Sequence, residues 1–293
     1  MFMERRARFA YFMIFPSLVL ITLLNLVPLI EGVIVSVQNQ NMVRPNLTGF
    51  VGAKHYLRAL FEDELFWRSL RQTIIWTIGS VVGAYILALS LALLVNIDIQ
   101  GRKFFRALFL IPWVVPEVST ALLWKWMYGD EFGILNFLLK KLGIIERPIL
   151  WLADPSLAMP SVIAVQIWKL YPVMFIVLLA ALQNVPKELH EAATIDGAGG
   201  RQRFWYITLP FIRGTSVIIT LLASIWSFQN FDIIYLLTGG GPADVTKVLA
   251  TLMYEKAFWG SEMGYAAAIG MLMLLVLLVI SVAYLFAYKA QKD

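Results

Sequence analysis

The sequence contains no cysteine and only two histidines. The absence of cysteine excludes disulfide bonds, thiolate metal sites and cysteine nucleophiles. His55 and His190 lie far apart along the chain, so we predict no histidine-based metal site. The phosphate-binding pattern G-x-x-x-x-G-K-[ST] is also missing. Because no catalytic machinery is visible, we predict that the chain is not an enzyme.

Charged residues are scarce, at 15%, whereas 60% of the residues are hydrophobic. Soluble domains carry about 25% charged residues and about 45–50% apolar ones. A soluble fold of this size could not keep so much apolar surface away from water. In hydrocarbon the backbone must satisfy its own hydrogen bonds, which leaves helices or closed barrels. Apolar runs of about 20 residues favour helices over short alternating strands, so we predict an all-α integral membrane protein.

The apolar runs predict six membrane-spanning helices. They cover residues 10–33, 73–95, 105–128, 159–183, 214–237 and 265–288. Short amphipathic helices are expected in the loops 38–72 and 129–158, one of them at 53–61. Since no segment has the composition of a separate soluble domain, residues 1–293 are predicted to form one transmembrane domain.

Two further patterns refine this arrangement. Gly79 and Gly83 form a G-x-x-x-G pair in the second span, which we interpret as close packing of another helix of the same chain. If the N-terminus is cytoplasmic, the inner segments and adjacent helix ends hold about half of the Lys and Arg residues in a minor part of the loop sequence. Both termini are therefore predicted to be cytoplasmic, with residues 184–213 as an inner loop.

The inner loop 184–213 carries the strongest local pattern. Pro186 can open a helix, because proline is tolerated in the first turn. Glycines at 197, 199 and 200 allow that helix to end and the chain to turn, and Pro210 is predicted to restart a helix into the fifth span. The slim face of Ala192 and Ala193 could enter a partner's groove. A helix lying at the lipid boundary explains the pattern equally well.

The same loop resembles the EAA signature of permease subunits of binding-protein-dependent ABC importers. The matching residues are Glu191, Ala192, Ala193, Gly197, Ile207, Leu209 and Pro210, with Asp196, Ala198 and Phe204 in keeping with the family. The resemblance implies the type I importer fold and a multi-pass protein of the bacterial or archaeal cytoplasmic (inner) membrane. It also implies a coupling helix that docks on a cytoplasmic ATPase through Glu191, Ala192, Ala193, Asp196 and Gly197.

Other short motifs are similar to the carbohydrate branch of this family, and the N-terminal part to its maltose F-type members. They are Phe50-Val51-Gly52 with Tyr56, Ile111-Pro112 with Pro116 and Trp124, Gly133 with Asn136, Trp168-Lys169 with Pro172, and Thr238 to Pro242. The resemblance implies half of the translocation pathway of an ATP-driven sugar importer in a compact six-helix form. Glycerol phosphate esters and polyols remain alternative solutes.

The resemblance also implies partners. They are a second, G-type permease subunit, two cytoplasmic nucleotide-binding ATPase subunits and an extracytoplasmic solute-binding protein. ATP and Mg would be used by the ATPase, and this chain would bind no cofactor. A stand-alone carrier driven by an ion gradient is an alternative of another class, but such carriers often show repeated halves or more spans.

Polar residues inside the predicted spans are candidates for the solute path. Glu117 and Lys169 lie near the middle of the third and fourth spans, and we hypothesise that they approach each other, because each would offset the cost of burying the other. The fifth span carries Trp226, Gln229, Asn230 and Asp232, which suit the apolar faces and hydroxyl groups of a sugar. A polar packing cluster or an outer gate explains this stripe equally well.

The prolines of the third and fourth predicted spans are candidate sites of helix kinks. Pro112, Pro116 and Pro172 each remove a helix hydrogen bond, which predicts kinks. A kinked helix frees carbonyl groups that can line a cavity. Static irregularity without a role is the other interpretation.

Overall fold

The computed structural model describes residues 2–41, 43, 44, 46, 48–97 and 100–289, and these residues are mainly helical. The helices are α1 (Phe2–Ile21), α2 (Val27–Ser36), α3 (Lys54–Leu57), α4 (Glu64–Asn96), α5 (Arg102–Val114), α6 (Glu117–Met127), α7 (Ile134–Lys141), α8 (Ala158–Gln183), α9 (Lys187–Ile195), α10 (Gly200–Arg203), α11 (Leu209–Gln229), α12 (Asp232–Leu237), α13 (Leu249–Tyr254) and α14 (Met263–Lys289). Wider π-helical turns continue the helix at Thr22–Leu26, Arg58–Glu62, Phe204–Thr208 and Glu255–Trp259.

Several of these helices have the length and apolarity needed to cross a membrane. Within the described residues, five stretches qualify alone: Tyr11–Ser36, Glu64–Asn96, Ala158–Gln183, Gly200–Gln229 and Met263–Phe286. A sixth candidate is the pair α5 and α6, which is bent by 96° at the break between them. Each of the six predicted runs overlaps one of these stretches. The third run is split into two helices, α5 and α6. The helix of the fifth run, α11, ends at Gln229 instead of at residue 237.

Backbone contacts divide the chain into two compact units. The first comprises Met1–Trp67 and Leu252–Leu275, and the second comprises Arg68–Thr251 and Val276–Asp293. The candidate site residues predicted from the sequence all fall in the second unit.

The first unit joins an apolar helix to a polar segment. The predicted helix at 53–61 is confirmed, because α3 and the π-helical turn after it cover Lys54–Glu62. Buried His55 bonds through Nε2 to the carbonyl oxygen of Gln38 at 3.1 Å. The Arg58 guanidinium lies 3.0 Å from Glu262 and 4.2 Å from the ring centroid of Tyr265. These polar contacts fix the segment that follows α2.

The core of the second unit forms where α4, α8 and α11 pack together. Small residues on α4 allow this, since in a membrane close backbone approach replaces the hydrophobic drive. A Cβ added at Gly79 would lie 2.9 Å from Ile163 of α8, and one at Gly83 would clash with Ile167. The interpretation of the G-x-x-x-G pair as packing within the chain is therefore confirmed. The pattern of small residues continues along α4 with the fully buried Ala84, Ala88 and Ala92.

A buried asparagine holds the loop between α6 and α8, where a short helix was predicted and α7 is found. Asn136 is 2% exposed. Its Nδ2 donates to the carbonyl oxygens of Asp130 at 3.1 Å and Ile149 at 3.0 Å. Its Oδ1 accepts from the backbone N–H of Ile149 and from Trp151 Nε1, both at 3.1 Å. One amide side chain thus satisfies backbone groups that the short helix leaves free.

Candidate functional site

The third predicted span is broken between α5 and α6. Val115 and Pro116 have extended backbone, with ψ of 126° and 148°. Proline has no N–H, and its ring clashes with the carbonyl group four residues earlier, which here belongs to Pro112. Pro116 therefore cannot continue α5, which passes through Pro112 and ends at Val114. By contrast, α8 continues through Pro172 without a break.

Lys169 of α8 binds the carbonyl groups that this break leaves free. Its Nζ donates to the carbonyl oxygens of Pro112 at 3.2 Å and Trp113 at 3.1 Å, and to that of Val115. The C-terminal end of a helix carries unsatisfied carbonyls and a partial negative charge, so an ammonium group is favoured there. Lys169 thus acts as a cap supplied by another helix.

Glu117 lies on the other side of the same break, as the first residue of α6. A carboxylate is favoured there by the positive end of the helix dipole. Asn230 Nδ2 donates to Glu117 Oε2 at 3.4 Å, and the Asp232 carboxyl group lies near Glu117. Glu117 and Lys169 line one cavity, but the hydrogen bonds of Lys169 go to the carbonyl groups of α5.

The polar stripe of the fifth predicted span is divided by a second break. Helix α11 ends at Gln229, and Asn230 is extended, with ψ of 123°. The Asn230 side chain accepts from the backbone N–H of Ile233 at 3.3 Å and so holds the first turn of α12. Trp226 and Asn230 line the cavity beside Glu117, Gln229 is exposed elsewhere, and Asp232 begins α12. The four residues therefore do not share one continuous helix face.

The cavity at the first break has a volume of about 460 Å³. Its polar lining comes from Glu117, Gln166, Lys169 and Asn230, and its aromatic lining from Trp113 and Trp226. A few convergent polar groups in an otherwise apolar cavity of this size are typical of small-molecule sites. The lining offers both hydrogen-bond donors and acceptors to the hydroxyl groups of a ligand. The indole side chains can pack against an apolar face of the same ligand.

Gln166 also lines the cavity, although it was not among the residues predicted for the solute path. It is 4% exposed, its Nε2 donates to Ser227 Oγ at 3.5 Å, and its Oε1 has no hydrogen-bond partner among the described residues. A signal was available, because an amide inside an apolar span is costly and is therefore a functional candidate. Its spacing of three from Lys169 also places both side chains on one helix face.

The inner loop forms the predicted short helix. Pro186 precedes α9, and every residue of α9 is exposed or half-buried. Glu191, Ala192 and Asp196 are exposed, whereas Ala193 is half-buried. Ile195 on the same helix is 87% exposed, an unusual position for a large apolar side chain. This outward face of α9 is available to a partner.

A glycine turn ends α9. Gly197 has φ of +82°, in the left-handed region that favours glycine. Its N–H bonds to the carbonyl oxygen of Thr194 at 3.1 Å, and the N–H of Ala198 bonds to that of Ala193 at 2.8 Å. These two bonds form a Schellman motif. Gly199 has an ordinary φ of −70°, so Gly197 carries the conformational requirement of this turn.

Pro210 lies in the first turn of α11, as predicted, but the helix does not restart there after a gap. Helical structure resumes at Gly200 and passes through the π-helical turn Phe204–Thr208 into α11. A π-helical turn changes the local backbone bonding, which accommodates a proline that offers no N–H. Arg203 donates to Thr194 Oγ1 at 2.8 Å and thereby ties the resumed helix to α9.

Comparisons with known proteins agree with this architecture. The sequence profile of the family described as binding-protein-dependent transport system inner membrane component matches residues 84–291. A trehalose/maltose transport system permease protein of Thermococcus litoralis is 36% identical, over 99% of this chain and 96% of that protein. A sulfoquinovosyl glycerol transport system permease protein of Agrobacterium fabrum is 32% identical, over 94% and 89%. A chain of a bacterial ABC transporter involved in the import of the acidic polysaccharide alginate is similar at a TM-score of 0.80 and 25% identity, over 98% and 96%.

Proposed function

The chain belongs to the family of inner-membrane components of binding-protein-dependent transport systems, and we propose that the solute passing through it is a carbohydrate. The cavity between α5, α6, α8 and α11 carries this proposal. It brings Gln166, Lys169, Asn230 and Glu117 together beside the indole of Trp226. Sugars have hydroxyl groups on their edges and apolar C–H faces, which match amides, charges and an indole.

Relatives support a carbohydrate as the solute. The similar proteins named for trehalose and maltose, sulfoquinovosyl glycerol and alginate all handle molecules with sugar units. Two of these are named for anionic compounds. Because Lys169 already binds three carbonyl groups, we expect a neutral or weakly charged sugar to fit this chain better than a glycerol phosphate ester. Polyols present the same hydroxyl chemistry and are the second candidate.

We further propose that α9 is the coupling helix that docks on a cytoplasmic ATPase. Its outward face presents Glu191, Ala192 and Ile195 to solvent. Glu191 would make a charged contact, and the turn at Gly197 would set the angle between α9 and the resumed helix. Ala193 and Asp196 belong to the same predicted contact set. ATP with Mg would be bound and hydrolysed by the ATPase, so this chain would be a non-catalytic subunit without a cofactor of its own.

The proposed complex contains this chain, a second G-type permease, two ATPase subunits and an extracytoplasmic solute-binding protein. We propose that this chain is one transmembrane domain with six spans, counting α5 and α6 as one broken span, in the cytoplasmic membrane of a bacterium or archaeon. Both termini would be cytoplasmic. This placement puts α9 inside, as the contact with an ATPase requires.

The proposed mechanism is alternating access. ATP binding closes the ATPase dimer, α9 moves with it, and the permease pair opens outward to receive solute from the binding protein. Hydrolysis resets the pair inward. The break at 115–116 would act as a hinge in the third span. Lys169 keeps the carbonyl groups at this hinge hydrogen-bonded, so α5 and α6 can move relative to each other while the cavity opens to either side.

Two experiments test the proposal. The first purifies the tagged chain in mild detergent and measures ATP-dependent uptake of a panel of sugars and polyols after reconstitution with the copurified subunits and the binding protein. Replacing Trp226 by Ala should reduce sugar uptake, whereas Leu222→Ala, one turn earlier and also partly exposed, should not. Equal uptake by both variants would contradict the path assignment.

The second experiment addresses coupling. Glu191→Lys should abolish uptake while membrane insertion and subunit assembly persist, because a reversed charge opposes the proposed contact with a basic partner. Glu131→Lys makes the same charge change in the loop after α6 and serves as the control. Normal uptake in Glu191→Lys would remove α9 from the coupling role.

A further inference from the structure

A second cavity, of about 440 Å³, lies where α4 and α8 end and α5 and α9 begin. Its lining includes the basic side chains Arg102, Arg106 and Lys187 and the imidazole of His190. These residues come from two segments about eighty residues apart in the sequence. We propose that this cavity binds a phosphate group, supplied by an anionic phospholipid of the inner leaflet.

The chemistry of the lining selects an anion. Of the described residues that line the cavity, none is acidic, and Asn96 and Gln183 add neutral hydrogen-bonding groups. Arginine binds phosphate oxygens through paired, charge-assisted hydrogen bonds. The Nε of Arg106 is buried and has no hydrogen-bond partner among the described residues. Since buried polar groups normally have a partner, this guanidinium is suited to an anion.

The helix ends add to this preference. Arg102 is the first residue of α5, and Lys187 is the first residue of α9. The N-terminal ends of both helices therefore lie at the cavity wall, and each carries a partial positive charge. A phosphate between them would be stabilised by side chains and by backbone at once.

The surroundings favour a lipid as the source of the phosphate. Asn96 and Gln183 are the last residues of two helices long and apolar enough to cross a membrane, so the cavity lies at the end of the apolar layer. Ile97, Leu182 and Val185 line the same cavity, and Ile97 is 61% exposed. A phosphodiester could occupy the basic part while the glycerol and acyl chains follow the apolar part. Basic pockets between membrane helices on the cytoplasmic side bind anionic headgroups in this way.

The cavity is distinct from the proposed ATPase contact. Lys187 and His190 line the cavity, whereas Ala192 and Ile195 share another face of α9, and Glu191, one turn after Lys187, is exposed and does not line the cavity. At 3.6 residues per turn the middles of these two faces are about 140° apart around the helix. The phosphate would thus tie the inner face of α9 to α5 and leave its outer face for the ATPase. The lipid assignment rests on the proposed cytoplasmic position of this loop.

The test measures phospholipid retained by the assembled transporter. The complex is reconstituted in nanodiscs of equal phosphatidylglycerol and phosphatidylcholine, released into mild detergent and analysed by native mass spectrometry. Arg106→Gln and Lys187→Gln should each lower the retained phosphatidylglycerol about fivefold, the effect of one basic residue near a lipid headgroup. Lys103→Gln removes the same charge from an exposed residue of α5 that does not line the cavity, and should retain the wild-type amount.

The outcomes separate the possible sources of phosphate. Equal retention in Arg106→Gln, Lys187→Gln and Lys103→Gln would overturn the site. A second outcome is that the wild type retains phosphatidylglycerol and phosphatidylcholine equally, while added inorganic phosphate raises the unfolding temperature of the wild type but not of Arg106→Gln. This outcome would overturn the lipid and assign a soluble phosphate instead. Lipid retention is measured without solute or ATP, so its failure is distinguishable from failure of the proposed transport function.

Discussion

The chain interrupts its helices in two chemically different ways, between α5 and α6 in the third predicted span and after α9. At 115–116 Pro116 ends α5, and the freed carbonyl groups are bound by the ammonium group of Lys169 from another helix. After α9 the chain turns at Gly197, and the backbone satisfies its own carbonyl groups in a Schellman motif. The first break needs a tertiary partner, whereas the second is complete within the local sequence.

The surroundings explain this difference. A free carbonyl group in hydrocarbon has no water to bond with and costs several kcal/mol, so a break inside a span needs a donor from the protein or a water-filled cavity beside it. At the exposed end of α9, water and local bonds are sufficient. A break inside a span is therefore sensitive to the loss of one distant side chain, and a break in a loop is sensitive to the loss of one backbone conformation.

The largest expected effect comes from Lys169→Met. The substitution keeps an apolar stem of similar length but removes the donor from the carbonyl groups of Pro112, Trp113 and Val115. A hydrogen bond to a charged group contributes about 1.5–3 kcal/mol, so we expect a loss of about 3 kcal/mol in the free energy of unfolding. The measurement is thermal unfolding of the purified complex, together with solute uptake.

Lys125→Met is the matched control for that experiment. Lys125 Nζ donates to a single carbonyl oxygen, that of Leu236, at 2.9 Å in an exposed position. Its loss should cost less than about 1 kcal/mol, because water can replace an exposed partner. Equal destabilisation by the two variants would show that the break at 115–116 does not depend on Lys169.

The next effect concerns the local turn. Gly197→Ala places a side chain at φ +82°, which costs about 1–2 kcal/mol for an L-residue. The space around Gly197 is open, so the penalty is conformational and not steric. Gly200→Ala, also in open space but at the start of α10, should be neutral or slightly stabilising, because alanine favours helix.

The unfolding temperature should therefore fall in Gly197→Ala and stay level or rise slightly in Gly200→Ala. The ratio of ATP hydrolysed to solute transported should rise in Gly197→Ala alone, since only that variant disturbs the angle of α9. If both variants lowered the unfolding temperature equally, the turn would depend on backbone flexibility in general and not on the left-handed conformation of one residue.

A smaller effect is expected from Pro116→Ala, which removes one of the two prolines at the break. The chain has no natural cysteine, so Phe104→Cys and Trp126→Cys, both at exposed sites, can be spin-labelled without background. At about 1.5 Å per residue the two positions are about 22 Å apart across a bend near a right angle and about 33 Å apart in a straight helix. We expect a minor population at the longer distance.

Pro172→Ala provides the comparison for this distance measurement. Helix α8 already continues through Pro172, so its replacement should leave the distance distribution between labels at 104 and 126 unchanged. An identical distribution in Pro116→Ala and in the parent would indicate that Lys169 alone maintains the bend.

The same contrast explains which features the sequence could predict. The apolar runs, the helix at 53–61 and the start and end of α9 are local, since Pro186 and Gly197 act on their own neighbours. The break at 115–116 was not predictable from prolines alone, because Pro172 leaves α8 continuous. Whether a proline breaks a membrane helix depends on a donor such as Lys169. This lysine is more than fifty residues from the break along the chain, so local sequence does not reveal the contact.

The candidate site shows the same limit. Composition identified Glu117, Lys169, Trp226 and Asn230 as polar or aromatic residues within spans, and the structure brings these four to one cavity. In a regular helix, Trp226, Gln229 and Asp232 would share one face because they are spaced by three. The chain instead breaks at Asn230, whose side chain holds the next turn, and the assumed face is lost.

The smallest expected effect is a pH dependence of stability at His55. Its imidazole is a neutral partner of a backbone carbonyl group, whereas Lys169 is a charged one. Burial lowers the pKa of His55, although its hydrogen bond with the Gln38 carbonyl opposes part of this shift. The unfolded chain, with a histidine pKa of about 6.5, then binds a proton that the folded chain excludes. His55 therefore contributes stability that is complete above about pH 6.5 and is lost as the pH falls toward the lowered pKa of the folded state.

The unfolding temperature should drop between about pH 7.5 and about pH 5.5, and the drop should be smaller in His55→Gln. An equal drop in both would mean that the imidazole stays bonded to Gln38 when protonated, as the ammonium group of Lys169 stays bonded to α5.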